Sequence, residues 1–315
     1  MNPIISIVAQ GGMGAATASR LVQKGLEVRT DLTDRSAASA ERAAKAGMKP
    51  VGEDELAGVD FLLSIVPPAD AVALAERLSP ALARAARKPI YVDFNAVNPR
   101  TTENVAQIVQ ATGTRFVDGG IIGGPPRGDC DGPAYYVSGG DAKLVEALAA
   151  FGLKIVVLDA PIGAASALKM SYAGITKGLT AISCSMILAA QRADVSDALY
   201  KELSASQEAL LAGFARNTPN MFSKANRWIA EMREICGFAG PESAEQEIFS
   251  GAANFYSRIA HDFDGAKKEI AVLRDFFPSE PKRRSRLPAG EAIRAKAVCV
   301  RFGSRFVVPP LGERG

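Results

Sequence analysis

Histidine and cysteine are scarce in this chain: one histidine, His261, and four cysteines, Cys130, Cys184, Cys236 and Cys299, among 315 residues. The cysteines lie far apart, with no Cys-x-x-Cys pair and no Cys/His spacing suited to zinc, so neither a metal site nor a disulfide framework is expected. With a single imidazole, any Ser-His-Asp or Cys-His machinery must run through His261, and no nucleophile-elbow sequence accompanies it. His261 reads as a helix-surface residue and Cys130 as a buried or idle thiol. An excess of charge is missing too. Lys+Arg 37 against Asp+Glu 34 leaves +3, no whole-chain footprint for nucleic acid or an anionic membrane. No apolar run reaches the roughly 18 residues of a membrane span, and the start, MNPIISIVAQGG, lacks the basic stretch of a signal peptide. The expectation is a cytoplasmic protein acting on a small molecule, with chemistry carried by Lys, Tyr, Asp or a cofactor.

What is present is alternation. Short apolar, β-branched runs (4–9, 27–32, 60–66, 90–93, 115–118, 134–138 and 154–158) are separated by Ala-rich helical stretches, several opened by Ser, Asp or Pro. That order predicts βαβ units in a doubly wound parallel sheet over residues 1–160. After Pro161 the strand pattern stops, and 164–192 runs as one long Ala/Ile/Leu/Met helix, the expected spine of an all-α domain over 161–278. A helix apolar on more than one face has to be buried, within its domain or against another subunit, so a homodimer or higher homo-oligomer is expected. Residues 279–315 are basic, rich in Pro and Gly and aperiodic, and read as a poorly ordered tail. The tripeptide Arg127-Gly128-Asp129 carries no adhesion meaning in such a protein.

The first strand leads into Gln10-Gly11-Gly12-Met13-Gly14 and a helix starting near Met13. A glycine-rich turn joining a strand to a helix N-terminus is where a pyrophosphate binds. Gly11 admits the phosphates to the backbone, Gly14 lets the helix pack on the strand, and the free N–H groups and helix dipole favour the anion. Against Gly-x-Gly-x-x-Gly the first glycine is replaced by Ala9, but the setting at the head of a βαβ series makes this a Rossmann-type NAD(P) site. At the end of the second strand Arg35 and Ser36 open a helix and can hold a 2'-phosphate, whereas Asp31 and Asp34 favour an unphosphorylated ribose. NADP is preferred here over NAD.

Several segments together resemble the β-hydroxyacid dehydrogenase superfamily, which includes 3-hydroxyisobutyrate and 6-phosphogluconate dehydrogenases, over roughly residues 4–275. Besides the glycine turn, Leu62-Leu63-Ser64-Ile65-Val66-Pro67-Pro68 resembles the strand ending in Val-Pro beside the cofactor, and Asp93-Phe94-Asn95 through Pro99 resembles the next strand and loop. Phe116-Val117-Asp118-Gly119-Gly120-Ile121-Ile122-Gly123-Gly124 is similar to the substrate loop, and Gly163 through Lys169 to the start of the helix bearing the catalytic lysine. Two departures fall on substrate contacts: Ile122 stands where Ser is usual, and Tyr172-Ala173 where Asn-Asn is usual. Asp34-Arg35-Ser36 and Leu168-Lys169-Met170-Ser171-Tyr172-Ala173-Gly174 look closer to a sub-branch whose helical domain has no assigned function.

The resemblance implies an NADP-dependent hydroxy-acid oxidoreductase with Lys169 as general acid/base and Tyr172 orienting the substrate or sharing its proton. Cofactor contacts would be Gln10, Gly11, Gly12, Met13, Gly14, Arg35, Ser36, Val66, Pro67 and Asn95. Substrate contacts would be Gly119, Gly120, Ile122, Gly123, Gly124 and Ser166. Read without the family, Ser166, Lys169, Tyr172 and Thr176 share a helix face, and a lysine desolvated there can move a proton at neutral pH. An Ile122 with no hydroxyl points to a bulkier or less polar substrate, and Asp118 to a cap on the glycine loop. Two alternatives stay open: an imine reductase, which Lys169 opposes and Tyr172 keeps in view, and a nucleotide-binding oligomer without catalysis.

Overall fold

The computed structural model describes residues 2–126 and 132–277. Cys130, the Arg127-Gly128-Asp129 tripeptide, Cys299 and the basic tail 279–315 lie outside the described residues. The elements follow the alternation of the sequence: β1 (Ile4–Val8), α1 (Gly12–Gln23), β2 (Glu27–Thr30), α2 (Ala37–Lys45), β3 (Lys49–Pro50), α3 (Glu53–Ala57), β4 (Phe61–Ser64), α4 (Ala71–Arg84), β5 (Ile90–Asp93), α5 (Pro99–Gln110), β6 (Arg115–Ile122), β7 (Ala134–Ser138) and β8 (Lys154–Val157). The helices α6 (Ala164–Arg192), α7 (Ser196–Ser206), α8 (Glu208–Phe222), α9 (Ala225–Ala239), α10 (Ala244–Asp264) and α11 (Lys268–Phe276) complete it.

One sheet runs in the order β3-β2-β1-β4-β5-β6-β7-β8. β1 to β6 are parallel, β7 turns antiparallel against β6, and β8 pairs parallel with β7. The chain reverses direction of winding between β1 and β4, and in such sheets ligands bind beyond the carboxyl ends of the strands at that reversal. All four residues of β4 are buried, as a central strand covered on both faces requires. Ser36 caps α2 by accepting from the Ser39 N–H at 3.3 Å, and Asn98 caps α5 by accepting from the Thr101 N–H at 3.1 Å with Pro99 in the first turn.

Three apolar clusters hold the structure. Two lie on the faces of the sheet, around Leu21, Val28 and Leu63 on one side and Leu62, Leu78 and Phe116 on the other. The third lies among α6 to α11, around Met170, Trp228 and Tyr256, with the last two rings edge to face at 5.2 Å. A separate helical domain over 161–278 was expected; the helices do share their own apolar cluster, but the described residues up to Phe277 form one compact unit with the sheet.

Three expectations need correction. The glycine loop from Gly119 is largely strand: β6 continues to Ile122, and only Gly123 and Gly124 lie beyond it. Apolar length was underestimated at α6, whose 29 residues are long and apolar enough, by length and composition, to cross a membrane. Here that helix packs on β6, α9 and α10 as the centre of the helical core. The segment Ala142–Phe151 is wound as 3-10 turns rather than α-helix, ending at Gly152 in the left-handed region.

Candidate active site

The glycine turn behaves as the sequence requires. Gly11 is the extended N-cap of α1 and offers no side-chain cap, so the first-turn N–H groups face outward without a protein acceptor of that kind. A Cβ on Gly14 would stand 1.9 Å from the Ala9 carbonyl oxygen, whereas a Cβ on Gly11 or Gly12 would meet nothing within 4 Å. Gly14 therefore serves close packing of helix on strand. Gly11 and Gly12 leave open the space that a dinucleotide's phosphates need, and the cradle fits that group.

This turn forms one wall of a cavity of about 700 Å³. Gly11, Gly12, Met13 and Gly14 line it together with Val66 and Pro67 from the end of β4, Gly123 and Gly124 after β6, and Lys169 and Tyr172 on α6. Elements more than a hundred residues apart thus meet around one cavity. The Lys169 ammonium donates to the Ile121 carbonyl at 2.6 Å. Burial, with repulsion from Arg227 added, lowers its pKa to about 8. Tyr172, one turn on, is 48% exposed and faces the same space.

Other expected contacts do not line the cavity. Gln10 is buried, and its amide donates to Thr30 Oγ1 and to the Asp31 carbonyl at 2.7 Å, tying β1 to β2. Asn95 is likewise turned inward: its Oδ1 accepts from the Val66 N–H at 2.7 Å and its Nδ2 donates to Ser64 Oγ at 2.8 Å. It positions the Val66-Pro67 wall, and its neighbours Phe94 and Ala96 reach the cavity instead. Gly119 and Gly120 are packing positions, since added Cβ atoms would stand 2.4 Å from the Phe94 ring and 2.8 Å from the Ala165 carbonyl. Strand alternation brings Ile121, not Ile122, to the cavity, an equally apolar side chain with no hydroxyl.

Ser166 faces away from the cavity toward Asp118. Its hydroxyl donates to Asp118 Oδ1 at 2.6 Å and lies 2.8 Å from Thr102 Oγ1. The other oxygen of Asp118 accepts from the N–H groups of Gly163 and Ala165 at 2.9 Å and of Ser166 at 3.2 Å, and from Ser138 Oγ at 2.8 Å. Asp118 is thus the cap of α6, not of the glycine loop, and a carboxylate at that helix N-terminus is favoured by the dipole. It fixes the start of the helix that carries Lys169 one turn later. Beside it, Asp93 is pushed up to about 7 by burial, with Asp118 contributing, and its Oδ2 has no hydrogen-bond partner among the described residues.

At the end of β2 the acid is already engaged. Asp31 is buried, accepts from the Thr33 N–H at 2.8 Å and pairs with Arg77 at 2.7 Å. Burial opposes its ionisation, but the bonds from Thr33 and Arg77 outweigh it and hold the carboxyl below its usual range. Arg35 and Ser36 lie outside the lining of the large cavity, at the head of α2. There Arg42, unnoticed in the sequence, donates to the Gln10 carbonyl at 2.8 Å and to Ser39 Oγ at 2.9 Å.

The far wall comes from α8 and α9 and was also missed. Asn217, Asn220, Lys224, Arg227, Trp228 and Glu231 face the cavity at helical spacing, opposite Thr176, Lys177 and Thr180 of α6. Lys177 forms an ion pair with Glu231, its ammonium lies 5.1 Å from the Trp228 ring centre, and Glu231 also approaches Arg227 at 3.6 Å. Burial, then repulsion from Lys169, Arg227 and Lys224, holds the Lys177 pKa well below the ordinary lysine value. The signal was available: a polar stripe recurring every three or four residues through helices that otherwise bury Met221, Phe222, Met232 and Ile235.

Residues 4–159 match the NAD binding domain of 6-phosphogluconate dehydrogenase, and residues 190–259 match a domain of unknown function, DUF1932. An uncharacterized 28.5 kDa protein of Methanothermus fervidus is 29% identical over 251 residues, covering 79% of this chain and 96% of that one. A solved conserved protein of unknown function, itself structurally similar to 3-hydroxyacid dehydrogenases, is 25% identical with a TM-score of 0.64, covering 86% of this chain and 99% of its own. The Mycobacterium tuberculosis 3-hydroxyisobutyrate dehydrogenase, solved with L-serine, has the same fold at 18% identity and TM-score 0.65, covering 87% and 100%. The chain thus carries an NAD-binding domain of the 6-phosphogluconate dehydrogenase type leading into a helical domain of unknown function, on a fold it shares with 3-hydroxyacid dehydrogenases.

Proposed function

We propose that this protein is an NADP-dependent oxidoreductase that interconverts a hydroxy acid and the corresponding carbonyl acid, with Lys169 as general acid/base. The observation that carries the reading is the meeting of the glycine turn and Lys169 in one cavity. NADP, when bound, accepts or returns the hydride. In the oxidative direction the neutral amine of Lys169 takes the hydroxyl proton of the substrate, and in reduction the ammonium returns it. Ile121, whose carbonyl accepts from Lys169 at 2.6 Å, holds the amine in place. Tyr172 stands one turn away on the same wall and orients the substrate. Gly123 and Gly124 present backbone without side chains to its carboxylate.

The choice of NADP rests on the end of β2. The carboxylate of Asp31 is paired with Arg77 and the Thr33 N–H, so it is not free to claim a ribose hydroxyl. Arg35 makes no side-chain pairing among the described residues, and Arg42, Ser36 and Ser39 gather beside it. The protein acts as a homodimer in this reading, because α6 exposes Ile175, Leu179, Ile182 and Met186 at alternating spacings of four and three, the seam of a helix pair. NADP reduction with a panel of hydroxy acids, run on wild type and Lys169→Met, tests the proposal. The variant is expected to lose about 10²- to 10⁴-fold in kcat. Equal rates in the two proteins, or turnover of imines only, contradict it.

A further inference from the structure

The first turn of α5 is only half capped by its own residues. Asn98 is the N-cap, and its Oδ1 accepts from the Thr101 N–H at 3.1 Å. A complete capping box would have Glu or Gln where Thr101 stands, reaching back to the Asn98 N–H. The missing acceptor comes instead from Glu234 on α9, 136 residues away from Asn98 in the chain. Its Oε2 accepts from the Asn98 N–H at 2.9 Å, from Asn98 Nδ2 at 2.7 Å and from the Thr101 hydroxyl at 3.2 Å. The close approach is built into α9 as well, since a Cβ on Gly237, one turn after Glu234, would stand 3.1 Å from Asn98 Nδ2.

Everything around that turn serves the cavity. Just before it, Phe94 and Ala96 line the space and Asn95 holds Val66. Within it, Thr102 Oγ1 lies 2.8 Å from Ser166 Oγ, and a Cβ on Gly163 would stand 3.2 Å from Pro99 Cβ. Both contacts fall at the start of the helix that carries Lys169. On α9, Glu234 follows Arg227 and Glu231 at spacings of seven and three, so it continues the face those residues present to the cavity. The turn Pro68–Asp70, next to the Val66-Pro67 wall, also rests on α9. A residue within α5 would suffice to cap that helix, whereas a carboxylate from α9 caps it only by tying the helices to the sheet.

Resting on the dehydrogenase reading above, we propose that Glu234 is a positioning residue: its clasp on α5 holds Lys169 and the helical wall in register with the dinucleotide on the sheet. Glu234 does not itself line the cavity and acts through Asn98. It belongs to the matched domain of unknown function, which on this proposal completes the site by docking on the NAD-binding domain.

Two variants separate positioning from capping. Glu234→Ala removes both, and Thr101→Glu added to it restores the capping box within α5 without restoring the tie to α9. Both are assayed by NADP reduction with hydroxy acids, 3-hydroxyisobutyrate, 3-hydroxybutyrate and L-serine among them, with rates taken per NADPH site, beside NADPH affinity and thermal unfolding. The double variant is expected to stay about 10- to 100-fold low in kcat with near wild-type NADPH affinity, whatever stability the restored cap returns. Wild-type kcat in the double variant, or already in Glu234→Ala, overturns the proposal and leaves the dehydrogenase reading standing, with Glu234 as a cap alone. A deficit confined to NADPH affinity also overturns it. If the wild type turns over no hydroxy acid, the dehydrogenase reading fails and amide hydrogen exchange decides the clasp: NADPH is expected to slow exchange across α9 in the wild type, and that slowing to be lost in the double variant. Equal slowing in both proteins, or none in the wild type, overturns the clasp.

Discussion

Lys169 sits six residues past the positive-φ glycine, Gly163, that precedes α6, in a helix whose neighbours are Ala165, Met170 and Ala173, and burial there is what makes its amine useful. With a pKa of about 8, the neutral form that accepts a proton accumulates as pH rises through that value. Oxidation of the hydroxy acid is therefore expected to climb with pH below about 8 and level off above it, while reduction, which needs the ammonium, declines over the same range. Lys169→Arg keeps the charge but cannot release a proton, so it is expected to lose the oxidative reaction at every pH. A pH profile of wild type without an inflection near 8 contradicts the assignment.

The glycines divide just as sharply. Gly14→Ala forces a methyl group against the Ala9 carbonyl and is expected to destabilise the fold by about 2–3 kcal/mol, read by thermal unfolding. Gly12→Ala meets open space, so stability should hold while dinucleotide affinity falls. Loss of stability in Gly12→Ala with unchanged affinity would argue that the turn is only a turn.

Among the elements, the strands and the spine helix were legible because each carries a strong period: the runs at 4–9, 27–32 and 60–66 contain β1, β2 and β4, and 164–192 is α6 to the residue. What escaped was whatever depends on a partner distant in sequence. β3 is two residues long and too short to show a period. The turn at Gly119 looked like a loop because glycines usually mark loops, yet Gly120 is there so that the backbone of α6 at Ala165 can approach β6. Asn95 and Gln10 were expected to touch the cofactor and Ser166 the substrate, but their hydrogen-bond partners turn them inward, and partners are invisible in one dimension. Asp118 shows what such a residue does. It gathers three N–H groups and two hydroxyls at the start of α6, so Asp118→Ala is expected to cost about 3 kcal/mol and to lower kcat by loosening the helix that aims Lys169. Full activity in a stable Asp118→Ala protein would contradict that coupling.

For the whole molecule, the cavity is a joint product of the two halves: the sheet contributes the glycine turn and the Val66-Pro67 wall, and the helices contribute Lys169 and the cationic stripe. The exposed seam on α6 extends the argument to a second copy. Ile175 is 65% exposed and Met186 57%, in a row with Leu179 and Ile182. Light scattering is expected to find a dimer for wild type and a monomer for Ile182→Glu; a wild-type monomer at micromolar concentration contradicts the seam. The most direct measurement of the central claim uses the one tryptophan of the chain, Trp228, which lines the same cavity as the glycine turn. Titration with NADPH is expected to change its fluorescence saturably and at lower concentration than NADH, with Arg35→Ala narrowing that difference. No saturable change with either nucleotide would contradict the account at its foundation.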